Sequence, residues 1–161
     1  MEKQPWWRGS RGEWYVVAQF ALFGVVLAGP WLWPMGGWRP LAAVGGRIVG
    51  LLVGFIGGTF IAAGIVTLGR NLSALPHPKE DANLVVSGAY NLVRHPIYSG
   101  IILGSLGWGL LWNSLFTVGL ALLLFLFFDV KSRREEKWLR RKFPGYAAYQ
   151  QRVHKLIPFI Y

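Results

Sequence analysis

The sequence predicts an all-α membrane protein, a polytopic bundle of about four transmembrane helices followed by a cytoplasmic helical segment. Three observations predict it. Four long apolar runs follow one another with little charge inside them. The hydrophobic content is 53%, with nine Trp and a mean hydropathy of +0.38, too apolar for an ordinary soluble domain of 161 residues. Nine of the seventeen Lys and Arg residues fall within 131–155, directly after the last apolar run, where a membrane protein keeps its cytoplasmic charge. That placement also decides how the net charge of +10 is read. A basic balance can mean a nucleic-acid partner, but charge collected beside a membrane span means a lipid surface, so no nucleic acid is expected. The absence of cysteine excludes disulfides, thiolate metal sites and cysteine nucleophiles.

Residues 1–13 are polar, with Lys3, Arg8 and Arg11 beside Trp6 and Trp7, and read as an interfacial lead-in. From Trp14 to Trp33 there is no charge, and about 20 helical residues cross a hydrocarbon core of roughly 30 Å. The run is long for a signal peptide and has no clean small-x-small site, so a retained first helix is expected. Pro34 to Pro40 makes a turn. A second apolar run extends from Leu41 to Gly69, its buried part beginning near residue 48 because Arg47 snorkels outward. Gly46, Gly50, Gly54, Gly58 and then Ala62 recur every four residues, which lets another backbone approach closely. Packing inside the monomer is the expected use; a homodimer seam is the alternative.

Residues 70–95 form a polar loop with Pro76 and Pro78. A loop of over about 15 residues in a compact protein is a candidate functional segment. A third helix is expected over Ile97–Trp112 and a fourth over Leu115–Val130, joined tightly at Asn113-Ser114. The fourth is free to continue through Lys131–Lys142, which is rich in helix formers, until Pro144-Gly145 stops it. Residues 146–154 suit one more short helix. Lysine and arginine placement puts both termini and the 70–95 loop on the cytoplasmic side, with only Arg39 and Arg47 near the outer one. The whole of 1–161 is one domain: two membrane helices in 1–67, then the loop, hairpin and C-terminal helices of 68–161.

That topology brings two polar stretches to one membrane face. The first is Gly88-Ala89-Tyr90-Asn91-Leu92-Val93-Arg94-His95-Pro96-Ile97-Tyr98-Ser99-Gly100. Pro96 suits a helix's first turn and disfavours helix at His95, so Arg94 and His95 sit at the mouth of the third helix. Free N–H groups there, with the Arg94 fork, favour a carboxylate or phosphate. The second stretch is Glu135-Glu136, near the end of the fourth helix. Taken by themselves, Arg94 and His95 fit a basic loop anchoring a membrane helix as well as a site, and Glu135-Glu136 fit better a solvated helix face beside Arg133, Arg134 and Lys137. His77, His95 and His154 have no metal-ligand spacing.

The order of that motif, a membrane hairpin, Glu135-Glu136, and then Phe143-Pro144-Gly145-Tyr146, Tyr149, Val153 and Ile157-Pro158 resembles the isoprenylcysteine carboxyl methyltransferases and the related phospholipid N-methyltransferases. The resemblance covers roughly 68–161. It implies a membrane methyltransferase using S-adenosyl-L-methionine, with Tyr90, Val93, Arg94, His95, Pro96, Tyr98, Gly100, Glu135 and Glu136 in or near the cofactor pocket. Glu135 or Glu136 would accept the cofactor's ammonium, and Arg94 with the helix start at Ile97 would face its carboxylate. The acceptor would be small and apolar or amphipathic, such as a prenylcysteine-like carboxylate, a lipid amine or a thiol. Methyl transfer from a sulfonium needs positioning and desolvation more than an acid or a base, and no catalytic triad is visible. Two other readings stay open: a sterol-reductase-like enzyme using NADPH, which shares an Arg-His-Pro-x-Tyr-like motif, and a non-catalytic membrane protein that keeps the motif as scaffold.

Overall fold

The computed structural model describes residues 12–34 and 40–161. The N-terminal lead-in and most of the Pro34–Pro40 turn lie outside the described residues. Five helices follow in order: α1 (Glu13–Leu32), α2 (Pro40–Leu68), α3 (Pro96–Leu111), α4 (Leu115–Lys142) and α5 (Tyr146–Arg152). Two 3₁₀ turns, Gly69–Asn71 and Gly88–Asn91, punctuate the loop between α2 and α3. No strand occurs among the described residues; one isolated parallel bridge joins Val93 to His154.

Three of the described helices, α1, α2 and α4, are long and apolar enough to cross a bilayer. Their outward faces are built for lipid: Phe20, Phe55, Val66 and Leu122 are exposed, and α1 buries only Gln19, Val26 and Gly29. The third expected span is shorter. With 16 residues α3 rises about 24 Å, less than a hydrocarbon core of roughly 30 Å. It lies against α2 and α4. At the end of α3 away from the motif, Trp31 packs on Trp108 and Trp112 at 6.1 and 5.1 Å, the kind of aromatic cluster favoured at headgroup level.

The α2–α3 pair is antiparallel and very close. A methyl group on Gly50 would sit 2.6 Å from the Leu111 backbone nitrogen, one on Gly57 2.6 Å from that of Gly104, and one on Gly64 2.7 Å from Ile97 Cγ1. From the other side, a methyl on Gly107 would meet the Gly54 nitrogen at 2.6 Å. The glycines are thus used within the monomer, along a line that includes Gly50 as expected and then departs from the four-residue repeat. Gly58 meets nothing and, like Ala62, is exposed, while Gly57 and Gly64 are buried. A step of four residues advances about 400°, drifting roughly 40° around the helix each time, whereas a step of seven drifts only about 20°. Two helices that stay in contact along their length therefore meet at Gly50, Gly57 and Gly64.

The α3–α4 hairpin turns at Asn113, which adopts a left-handed φ of 53°. Ser114 then caps α4 by accepting from the Thr117 nitrogen at 3.2 Å. As expected, α4 runs past its apolar part without a break, carrying Lys131–Lys142 beyond the span, and its last turn holds Arg140, Arg141 and Lys142 where the helix dipole favours cations. Val26, Leu124 and Phe128 form one core, with Tyr98 and Ile101 against it. A second gathers Tyr146, Tyr149 and Val153 with Leu84, Leu139 and Phe143, fastening α5 to the loop and to the end of α4.

The 72–87 loop is docked rather than extended. Asn71 clasps Asn83 in both directions, at 3.4 and 3.3 Å. Lys142 Nζ donates to the Lys79 and Glu80 carbonyls, and Pro76 is fully buried against Gly12. The 153–156 segment returns to the motif as an extended strip. Arg94 N–H donates to the His154 carbonyl at 2.8 Å, His95 N–H to that of Lys155 at 3.1 Å, and Ser99 Oγ to that of Leu156 at 2.6 Å.

Candidate functional site

Pro96 is the first residue of α3 and His95 its cap, as the sequence requires. This fixes the His95 ring over the helix entry, where it stacks on Tyr98 at 5.3 Å with the planes 4° apart; Tyr98 in turn stacks on Phe128 at 4.4 Å. Glu135 and Glu136, about 100° apart on α4, then do different things. Glu136 Oε1 accepts from Arg94 Nε at 2.8 Å and lies 3.2 Å from His95 Nε2, and its Oε2 accepts from Gln150 Nε2 at 2.8 Å. Arg94 Nη1 also donates to the carbonyls of Gln150, at 3.1 Å, and Val153. Glu136 is therefore the knot that ties the motif, α4 and α5 together. Burial opposes its charge, but hydrogen bonds and charge from His95 and then Arg94 outweigh burial and hold its pKa down to about 2.

Glu135 faces the other way. Its Oε2 accepts from the Tyr98 hydroxyl at 2.8 Å and lies 3.9 Å from His95 Nδ1. It lines a cavity of about 610 Å³ between α1, the end of α2, the 72–85 loop, the entry to α3, and α4. That volume is ordinary for a small-molecule site. One end is walled by Phe20, Ile65 and Ile101 and the other by Tyr90, Phe143, Tyr146 and Tyr149, with His95, Tyr98, Glu135 and Lys131 among the residues lining the rest.

Of the nine residues singled out in the sequence, Tyr90, Arg94, His95, Tyr98 and Glu135 line this cavity. The other four lie behind it. Val93 is wholly buried in the bridge to His154, and Pro96 lies against Gly64. Gly100 is pressed against Gly57 and Ile61 on α2, and Glu136 is the knot just described. Arg94 reaches the cavity, but its Nε and Nη1 are engaged internally.

Lys131 went unremarked in the sequence as one more cation of the charged stretch. Its side chain is 1% exposed and lines the cavity one turn below Glu135. Its ammonium donates to Gln19 Oε1 and, at 3.0 Å, to the Ala74 carbonyl, and sits 5.2 Å from the centre of the Tyr98 ring. No carboxylate lies within ion-pair distance of it among the described residues. The available signal was Gln19, a polar residue within a first helix that is otherwise apolar around it and that needs a buried partner.

Tyr90, Tyr146 and Tyr149 complete the wall. Burial, the largest cause, together with nearby carboxylates raises all three phenols above their ordinary range, so they stand as neutral hydroxyls. Tyr149 donates to the Tyr90 carbonyl.

A helical membrane bundle with a mixed polar and apolar cavity at one end, built on an Arg-His-Pro helix entry and a paired glutamate, defines a class of integral-membrane small-molecule sites. Residues 46–145 match the family model described as phospholipid methyltransferase, and the chain belongs to that family. Among its relatives is a probable protein-S-isoprenylcysteine O-methyltransferase of Oryza sativa, 37% identical over 116 residues, covering 70% of this chain and 61% of that one. Another is the cobalt-zinc-cadmium resistance protein CzcN of Cupriavidus metallidurans, 35% identical over 150 residues and covering 91% and 62%. The chain thus spans about three fifths of the length of these relatives. The solved eukaryotic intramembrane Ras methyltransferase, isoprenylcysteine carboxyl methyltransferase, shares the fold, with a TM-score of 0.61 at 23% identity, over 94% of this chain and 54% of that one. The resemblance carried by the motif is borne out at the level of family and fold.

Proposed function

We propose that this chain is an integral-membrane methyltransferase that uses S-adenosyl-L-methionine and acts on an apolar or amphipathic acceptor, with a prenylcysteine-like carboxylate first among the candidates. The observation that carries the reading is the cavity: ionisable and aromatic groups from the motif and α4 share one space with an apolar wall formed by Phe20, Ile65 and Ile101. The relatives' names point to the same chemistry.

The residues present fit such a cofactor. Glu135, held toward the cavity by Tyr98, is the carboxylate for an ammonium. Lys131, whose described partners are neutral oxygens and aromatic rings, is the cation for a carboxylate, a part that Arg94 gives up to Glu136. When bound, the cofactor supplies an electrophilic methyl group. The protein's own work is to hold the two partners in line and exclude water. His95 and Tyr98 line the cavity as stacked rings backed by Phe128, residues of the 72–85 loop line another side, and no side chain need move a proton for a carboxylate or thiolate acceptor. Phe20, Ile65 and Ile101 provide the surface for an apolar tail. In the membrane, the motif end, both termini and the C-terminal segment lie on the cytoplasmic side, as the basic residues beyond α4 favour.

Labelled S-adenosylmethionine, tested in liposomes with a prenyl-thioether carboxylate, a lipid amine and a small thiol, is the experiment for this reading. Transfer to the carboxylate, weaker or absent with the other two, is expected. Binding of the cofactor product without transfer to any of them would remove the acceptor assignment.

A further inference from the structure

Residues 157–160 make an apolar turn that the rest of the protein leaves uncovered. Phe159 is 82% exposed and Ile160 76%, as open as Val66 at 80% on the lipid face of α2, and Ile157 is exposed beside them. The turn is nonetheless well formed. Ile160 N–H and Tyr161 N–H both donate to the Ile157 carbonyl, at 3.2 and 3.0 Å. Phe159 holds a left-handed φ of 64°, which glycine adopts freely and a bulky side chain adopts at a cost. At that exposure its ring gains little from the rest of the chain, so the contact that favours it lies outside the protein.

Tyr161 fixes the depth at which the turn sits. Its ring lies 6.0 Å from that of Phe125, within the apolar half of α4, and its hydroxyl donates to Asp129 Oδ1 at 2.7 Å. Lys155 Nζ also donates to Asp129 Oδ1, and Arg133 pairs with Oδ2 at 2.8 Å. Phe125, Asp129 and Arg133 follow one another at four-residue steps, next to the row of Leu122, Leu126 and Val130 that α4 exposes. A ring toward hydrocarbon and a hydroxyl toward charge is how tyrosine sits at a membrane–water boundary. Phe125 lies about 7 Å of helix before Val130, where the apolar run ends. Apolar groups of interfacial segments reach to a similar depth, roughly 5–10 Å. Arg133, and Arg152, which shares a small cavity with Ile160 and Tyr161, flank the turn with cations suited to phosphate headgroups.

We propose that this turn is a membrane-surface anchor, laying Phe159 and Ile160 into the phospholipid of the leaflet at the motif end. Lipid is the partner, ahead of a second copy of the chain, because the turn continues a surface of α4 that already faces lipid. The strip whose carbonyls hold Arg94, His95 and Ser99 then ends in the bilayer, which fixes the height of the motif over it. The proposal requires the membrane placement of α4 but not the methyltransferase reading.

The chain has no cysteine, so a single introduced cysteine carries one nitroxide. The full chain in phospholipid nanodiscs is labelled at Phe159→Cys and at Ile160→Cys, the second of which leaves Phe159 in place. Leu122→Cys reports the lipid face of α4, and Lys137→Cys, at an exposed position, its charged half. Relaxation by oxygen, which concentrates in lipid, is compared with relaxation by a water-soluble nickel chelate. Labels at 159 and 160 are expected to respond more to oxygen than to nickel, as at 122, while 137 shows the reverse. Nickel dominance at 159 and 160 beside oxygen dominance at 122 would put the turn in water and overturn the proposal. Spin–spin broadening at 160 would show a second copy covering the turn, and would overturn it too. Nickel dominance at 122 would remove the membrane placement of α4, and the anchor with it.

Discussion

Glu135→Gln and Glu136→Gln, neighbours in sequence and identical in chemistry, should fail in opposite ways. The Glu136 carboxylate receives Arg94 and Gln150 and contacts His95 while its side chain is only 10% exposed, with the Arg94 side chain at 11%. Removing its charge leaves the Arg94 guanidinium buried without a counterion. Breaking a buried pair by deleting one partner costs about 3–5 kcal/mol, because the remaining charge keeps its desolvation penalty. At 2–4 °C per kcal/mol for a chain of this size, melting in detergent should fall by roughly 6–20 °C. Glu135 holds no comparable knot. Its loss to glutamine keeps the side chain's shape and an acceptor for Tyr98, so melting should stay close to the parent. What should suffer is cofactor affinity, by the 1.5–3 kcal/mol of a charged hydrogen bond, about 10- to 150-fold. Thermal melts and S-adenosylhomocysteine titrations on the two proteins separate the effects. If Glu136→Gln melts with the parent, or if Glu135→Gln is the less stable of the two, the division between brace and binding group is wrong.

Three further outcomes follow from other parts of the molecule. Because the folded pKa of Glu136 is about 2, below the unfolded value near 4.3, its contribution to stability is complete above the unfolded value and is lost as pH falls toward 2; the acid limb of a melting-temperature profile between pH 5 and 2 should be shallower in Glu136→Gln. Gly57→Val puts side-chain atoms into the α3 backbone and should cost upwards of about 2 kcal/mol or abolish folded yield, whereas Gly58→Val meets open space and should express like the parent. Reporter fusions at residue 36 and at the C-terminus should fall on opposite sides of the membrane, and the same side for both would contradict the proposed orientation.

Much of the frame was legible in the sequence because hydrophobic run length and breakers set it. The start of α3 at Pro96, the uninterrupted passage of α4 into its charged half and its stop before Pro144 all follow from local rules. What the sequence left open depends on rotation about a helix axis and on long-range contact. Which glutamate faces the cavity is an angle of about 100°, and nothing local fixes it; in the structure the answer comes from Gln150 and Arg94 claiming Glu136. The glycine line shares Gly50 with the observed one and then departs from it for a similar reason, since four-residue spacing is conspicuous in a sequence while contact between long antiparallel helices selects seven. Lys131 looked like its charged neighbours because its burial is made by Gln19 and Ala74, far away in sequence. Val93 and Gly100 were singled out beside the pocket residues, and the structure uses them for packing behind it.

The central claim, that this cavity takes an S-adenosyl cofactor against Glu135, is tested most directly by equilibrium binding to the purified protein in lipid nanodiscs. S-adenosylhomocysteine should bind saturably to the parent and about 10- to 150-fold more weakly to Glu135→Gln, with NADPH showing no saturable binding. Saturable binding of NADPH, or S-adenosylhomocysteine binding that Glu135→Gln leaves unchanged, would contradict it.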